Sequence, residues 1–177
     1  MKPDLDHWLP DPALRVYHRR ESTVHPERLW DAARHVRLVE TSVLGRLINW
    51  RIPGVPLQAT FDDLFHDPPF AVLTEEDGAL VSGLVGRIWT LRRDYPAIAT
   101  PDEFRAWSQP GTARVLFANW VEPTAAGRVL LASETRVQAL GIQGRVGLAA
   151  VRPLVSTFHN LVGSEGIEAA VRRAEQP

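Results

Sequence analysis

The sequence predicts an α+β fold: a curved antiparallel sheet wrapped around a long C-terminal α-helix, with two short helices after the first strand. Three observations predict it. Two strand-like runs, Thr112–Val121 and Arg128–Gln138, lead directly into a helical stretch that reaches Ala174. Asp77-Gly78, a dipeptide suited to a tight hairpin turn, separates Phe70–Glu75 from Leu80–Gly86. Near the start, His25-Pro26-Glu27 ends an alternating segment and opens a helical one, because proline fits a first helical turn and an acidic residue favours the positive helix terminus.

Residues 1–12 read as an extended N-terminal arm and residues 13–177 as a single domain. The arm holds three prolines and three aspartates, with Trp8 as the one side chain able to dock it on the body or on a partner chain. From Ala13 to Val24, Leu14 and Val16 alternate with Arg15, Tyr17 and Arg19, the pattern of a strand with one buried face. Leu29, Trp30, Ala33 and Val36 then form the apolar stripe of the first helix. Val43, Leu44, Leu47, Ile48 and Trp50 mark a second over Glu40–Arg51, stopped by Pro53-Gly54.

From Ala59 the periodicity is that of strands, and a further strand is expected over Arg87–Arg92. Pro96 and Pro101 bound a loop, Asp102 is placed to cap a short helix running to Trp107, and Pro110-Gly111 turns the chain into the terminal hairpin, whose own turn is Pro123–Gly127. In the last segment Ile142, Val146, Leu154, Phe158, Leu161, Ile167 and Ala170 recur at approximate helical spacing. Pro153 is expected to kink or split that helix, and Gly163 and Gly166 to weaken its second half.

Composition bounds the function. Hydrophobic residues are 45% and charged residues 23% of the chain, the balance of an ordinary globular protein. A net charge of −1, with arginines scattered along the sequence, provides no field to draw the chain onto nucleic acid or anionic lipid. Arg87, Trp89, Arg92, Arg93 and Tyr95 interleave rings and cations as a single-strand platform would, but that charge balance argues against a nucleic-acid partner. The chain has no cysteine, hence neither disulfides nor thiolate ligands. Its first residues lack the apolar core of a signal peptide, and no run approaches the ~20 apolar residues of a membrane span. A cytoplasmic protein without membrane insertion is expected.

No phosphate loop, no Gly-x-Ser-x-Gly nucleophile elbow and no histidine pair at helical metal-ligand spacing occurs, so neither cofactor nor metal is expected. The candidates for chemistry are Glu134, Arg136, Asn119 and His159. Glu134 and Arg136, two apart on a strand, leave the same face, either as a polar anchor in an apolar cavity or as a solvent-facing ladder with Arg128 and Gln138. The opposite face, Val129, Leu131, Ser133, Thr135 and Val137, is the more apolar. Asn119 shares a face with Val115, Phe117 and Val121, where a buried amide needs a partner or a ligand. His159 follows Phe158 on the last helix and could act as acid, base or tether. Trp50, Trp89, Phe117, Asn119, Trp120 and Phe158 are the expected ligand-lining residues. Gly141, Gly144 and Gly147 allow the last helix to approach the sheet or another subunit closely.

This order of elements resembles the START-like superfamily, also called SRPBCC or helix-grip, which includes polyketide cyclase-like proteins and lipid carriers. Val24-His25-Pro26-Glu27-Arg28-Leu29-Trp30-Asp31-Ala32 is similar to its strand-to-helix transition, and Glu134-Thr135-Arg136-Val137 to a late hairpin strand of uncharacterised bacterial members. The resemblance spans Ala13 to about Glu175. It implies a cavity between the sheet and the last helix that takes a hydrophobic or amphipathic small molecule, and it implies no shared catalytic residue. Three readings follow: a noncatalytic binding or carrier protein; a cyclase or dehydratase-type enzyme using Glu134, Arg136, Asn119 or His159 on a polyketide-like or lipid-like substrate; and an interaction module with a vestigial pocket, for which a homodimer is the natural partner.

Overall fold

The computed structural model describes residues 1–41, 44–51, 55–90 and 95–176; side chains are described over the same residues except 44, 47, 50, 51 and 152–163. The architecture is α+β, of helix-grip form. Five strands, β1 (Leu14–Ser22), β2 (Ala71–Glu76), β3 (Ala79–Gly86), β4 (Ala113–Pro123) and β5 (Val129–Ala139), make one antiparallel sheet in the order β1-β5-β4-β3-β2. A bulge between Val72 and Thr74 interrupts the register of β2 against β3. The hairpin of β2 and β3 turns at Gly78, whose φ of +81° is costly for any residue with a Cβ.

Helices α1 (Pro26–Arg34), α2 (Leu44–Arg51) and α3 (Phe61–His66) join β1 to β2, with a short 3₁₀ turn over Leu38–Glu40. α3 falls where strand periodicity was expected. It is fixed by a reciprocal capping box, in which the Thr60 hydroxyl accepts from the Asp63 amide and the Asp63 carboxylate accepts from the Thr60 amide. α4 (Pro101–Ala106) is capped by Thr100 rather than Asp102, since the Thr100 hydroxyl accepts from the Glu103 amide. The strand expected over Arg87–Arg92 is not seen in its described part: a turn closes there, with the Thr90 amide donating to the Arg87 carbonyl, and 91–92 lie outside the described residues.

α5 (Gly141–Glu175) is one helix of 35 residues that runs on through Pro153, where a split was the alternative. It packs on β1, β5 and α1. Its first turns come close to the body because they are glycines: a Cβ on Gly147 would stand 2.5 Å from the Trp89 indole, and one on Gly144 2.9 Å from the Thr112 carbonyl oxygen.

The sheet is buried on both faces. Its inner or grip face, formed by the odd positions of β4 and β5 and the even positions of β1 and β3, packs against the helices through Leu29, Val36, Leu64, Phe65, Leu80, Leu131, Ile167 and Ala170. Its outer face carries a second core, Val81, Val85, Leu116, Ala118, Trp120, Leu130 and Ala132, covered by Phe104 of α4 and by Leu5 and Leu9 of the N-terminal arm. β3, buried at every position, therefore reads as a continuous apolar run rather than an alternating one.

Candidate functional site

The grip face does not close completely. A cleft remains where α1, α3 and α5 meet the middle of the sheet, and each element brings a side chain forced there by its own period. Trp30, Ala33 and Arg34 come from α1; Phe61, Asp62 and Phe65 from α3; Leu80 from β3; Phe117 and Asn119 from β4; Leu131 and Ser133 from β5; and Gly166, Ile167 and Ala170 from α5. Gly166 lets the helix come close here, since a Cβ would sit 3.0 Å from the Phe61 ring. The cavity volume is about 60 Å³ on a scale where one water takes about 10–15 Å³, so it holds on the order of four to six waters.

The walls are mostly aromatic and aliphatic. Phe65 stacks beside Phe61, with ring centroids 6.2 Å apart, and meets Phe117 at 5.7 Å. On the floor Asn119 and Ser133 stand directly opposite each other in the β4–β5 register, and neither side chain has a hydrogen-bond partner among the described residues. At the edge, Arg34 donates to both oxygens of Asp62, from Nε at 2.8 Å and Nη2 at 3.1 Å, and its Nη1 lies 3.2 Å from Glu75 Oε1. His66 bridges the same cluster, with Nδ1 2.8 Å from the Asp62 carbonyl oxygen and Nε2 3.1 Å from Glu75 Oε2. The Asp62 hydrogen bond pushes the Arg34 guanidinium further above its ordinary value. Burial pulls the His66 imidazole down, but the Asp62 carbonyl and Glu75 carboxylate outweigh it and hold the ring above its ordinary value.

Phe117 and Asn119 thus lie in the cleft, while the other sequence candidates fall elsewhere. Trp120 is fully buried on the outer face, stacked 5.9 Å from Tyr17 and beneath Lys2, because its parity on β4 is opposite to that of Phe117 and Asn119. Trp89 packs against Gly147 beside the start of α5, outside the cleft lining. The side chains of Trp50, Phe158 and His159 lie outside the described residues.

Glu134 and Arg136 also face outward, yet they are neither in the cleft nor in solvent. Glu134 is 0% and Arg136 5% exposed, sealed under the arm. Arg136 Nε donates to Glu134 Oε1 at 2.6 Å, while its Nη1 donates to the Leu9 carbonyl at 2.9 Å and to the Asp6 carboxylate. Arg15 completes the group, donating from Nη2 to Glu134 Oε2 at 2.9 Å. Burial opposes the charge of Arg136, but the hydrogen bonds it donates to Asp6 and Glu134 override it and raise its pKa. The same contact holds the Asp6 carboxyl below the ordinary carboxylate value. This network pins the arm to the sheet. It has no access to the cleft on the other face.

Sequence reasoning missed His18. It sits on β1 opposite Ser133, on the grip face, and its Nε2 is buried without a hydrogen-bond partner. Its parity with Leu14 and Val16 was the available signal. Among the described residues there is no cluster of three histidine, aspartate or glutamate side chains suited to a metal ion, and no helix long and apolar enough to cross a membrane.

No family model matches this chain, and neither does any curated protein. Several solved structures are similar to it at low identity. One is the hypothetical protein jhp0584 from Helicobacter pylori, at 10% identity over 99% of this chain and 96% of that one, with a TM-score of 0.48. A second is protein MLL2253 from Mesorhizobium loti, at 15% identity over 92% and 100%, with a TM-score of 0.38. A third is Ara h 8.0201, at 13% identity over 90% and 97%, with a TM-score of 0.25.

Proposed function

We propose that this chain is a START-like binding or carrier protein that holds an amphipathic small molecule in the cleft of its grip face. The observation that carries the reading is the cleft itself: aromatic and aliphatic walls around two polar groups, Asn119 and Ser133, without a partner among the described residues. Apolar walls with a few convergent polar groups are the general form of a small-molecule site, the walls supplying affinity and the polar groups orientation. In this reading residues 13–177 act as one domain, the arm of residues 1–12 is its outer cover, and the protein works in the cytoplasm, with which a chain free of cysteine is compatible.

A cyclase or dehydratase reading draws nothing from Glu134 and Arg136, which face the arm. Of its remaining candidates, Asn119 lines the cleft, and the side chain of His159 lies outside the described residues. Native mass spectrometry of freshly purified protein tests the proposal. A fraction carrying a small-molecule adduct is expected, and Asn119→Trp, which fills the cleft from its floor, is expected to abolish it. An adduct that survives Asn119→Trp, or a protein that carries none and takes up no apolar probe, refutes the reading.

A further inference from the structure

Resting on that reading, we propose that His18, Ser133 and Asn119 form a recognition subsite for an uncharged oxygen function, a hydroxyl or a ketone, at one end of the ligand. The three come from different strands, yet the register sets them in one row across the sheet: His18 opposite Ser133 on β1 and β5, and Ser133 opposite Asn119 on β5 and β4. Directly opposed residues have Cβ atoms about 4.5–5.5 Å apart and share a face, so the row is a continuous polar stripe on an otherwise apolar floor. Its next member on β3 is Leu80, which returns the floor to hydrocarbon.

None of the three has a side-chain partner among the described residues, and His18 Nε2 is buried as well. The unpartnered His18 Nε2 costs free energy that a ligand atom could recover through the rotating hydroxyl of Ser133, which lines the cleft as His18 does not. Together the amide, hydroxyl and imidazole both donate and accept, which matches an alcohol or a ketone.

Charge argues against an acid. The arginine that lines the cleft among the described residues is already occupied, Arg34 by Asp62 and Glu75. A carboxylate or phosphate entering here would meet Asp62, and among the described residues no spare arginine lines the cleft to balance it, so it would be desolvated without compensation. Size sets the apolar part. Four to six waters, at about 30 Å³ each in the liquid, correspond to on the order of 120–180 Å³, the bulk of two fused aromatic rings.

The test is equilibrium dialysis of the full chain at neutral pH with three probes on one carbon frame: 2-naphthol, 2-methylnaphthalene and the anion 2-naphthoate. Wild-type protein should prefer 2-naphthol over both others by about fivefold to thirtyfold, the equivalent of one or two net hydrogen bonds. Ser133→Ala and Asn119→Leu, each still able to bind 2-methylnaphthalene, should each cut that preference severalfold, and His18→Phe should reduce it through Ser133. Equal binding of 2-naphthol and 2-methylnaphthalene by wild-type protein, tighter binding of 2-naphthoate, or a preference unchanged in both Ser133→Ala and Asn119→Leu overturns the subsite and leaves the cleft as an unselective apolar site. Failure of all three probes to bind overturns the cleft reading and the subsite together.

Discussion

Leu9→Ala tests whether the N-terminal arm is a structural part of the protein. Leu9 is 0% exposed and belongs to the outer core with Leu5, Phe104 and Trp120, while its carbonyl, which the substitution keeps, accepts from Arg136. The change therefore removes apolar contact alone. Truncating a fully buried leucine costs the lost transfer free energy plus a cavity term, about 2–5 kcal/mol together. Against a total stability of about 5–15 kcal/mol this is a large share, and for a chain of this size it lowers Tm by roughly 4–20 °C. Urea unfolding followed by tryptophan fluorescence and by far-ultraviolet circular dichroism measures it, with Ile142→Ala as control, since Ile142 is 79% exposed and should change stability by under about 0.5 kcal/mol. A Leu9→Ala variant as stable as that control would show that the arm does not cover the sheet in solution, and the account of the outer core would fall with it.

Glu134→Leu should destabilise by up to about 3–5 kcal/mol in the same assay, because it removes the buried partner of the Arg136 cation and leaves it only the exposed Asp6 carboxylate, whereas Glu134→Leu combined with Arg136→Met should lose clearly less; equal losses would contradict a coupled pair. The Asp6 carboxyl has a folded pKa held below its ordinary value, so its stabilisation is complete above the ordinary carboxylate range and disappears as pH falls through the lowered value. Asp6→Asn should accordingly flatten the acid limb of a Tm-against-pH curve, and an unaltered limb would argue against the Arg136 contact. His66 has a raised folded pKa, so its contribution is fully present below about 6.5 and is lost as pH rises through the folded value. Its NMR titration midpoint should move down in Glu75→Gln, and a midpoint indifferent to that change would remove Glu75 as a cause.

The terminal hairpin, the β2–β3 hairpin and the helix opening at Pro26 were legible because each is written in local signals: strand alternation, Asp77-Gly78, and proline followed by glutamate. α3 carried such a signal as well, Thr60 three residues before Asp63, but a helix of six residues shows too little periodicity to outweigh the apolar run around it. Parity sorted β4 and β5 each into two faces but left open which face of β5 looks inward; the register, which sets Asn119 opposite Ser133, decides it. What covers the outward face could not be read that way. Glu134 and Arg136 look like a surface ladder until Asp6 and Leu9, from the far end of the chain, are laid over them, and no local pattern encodes that contact. His18 was hidden for the same reason, since its meaning depends on the register with Ser133.

The pairing of β1 with β5 joins the first strand to the last, and this bears on how the chain can be made. During synthesis β1 emerges early, but its partner strand follows more than a hundred residues later, so β1 lacks its sheet neighbour until the terminal hairpin is out, and the arm lacks its contact with Arg136. Until then the apolar faces of β3 and of the leucines in the arm are exposed together, and only the β2–β3 hairpin and the short helices can form from nearby contacts. Assembly is therefore expected to be a late, concerted closure. In a nascent chain halted just before residue 129, β1 should still be open to protease, and releasing β5 from the ribosome should protect it.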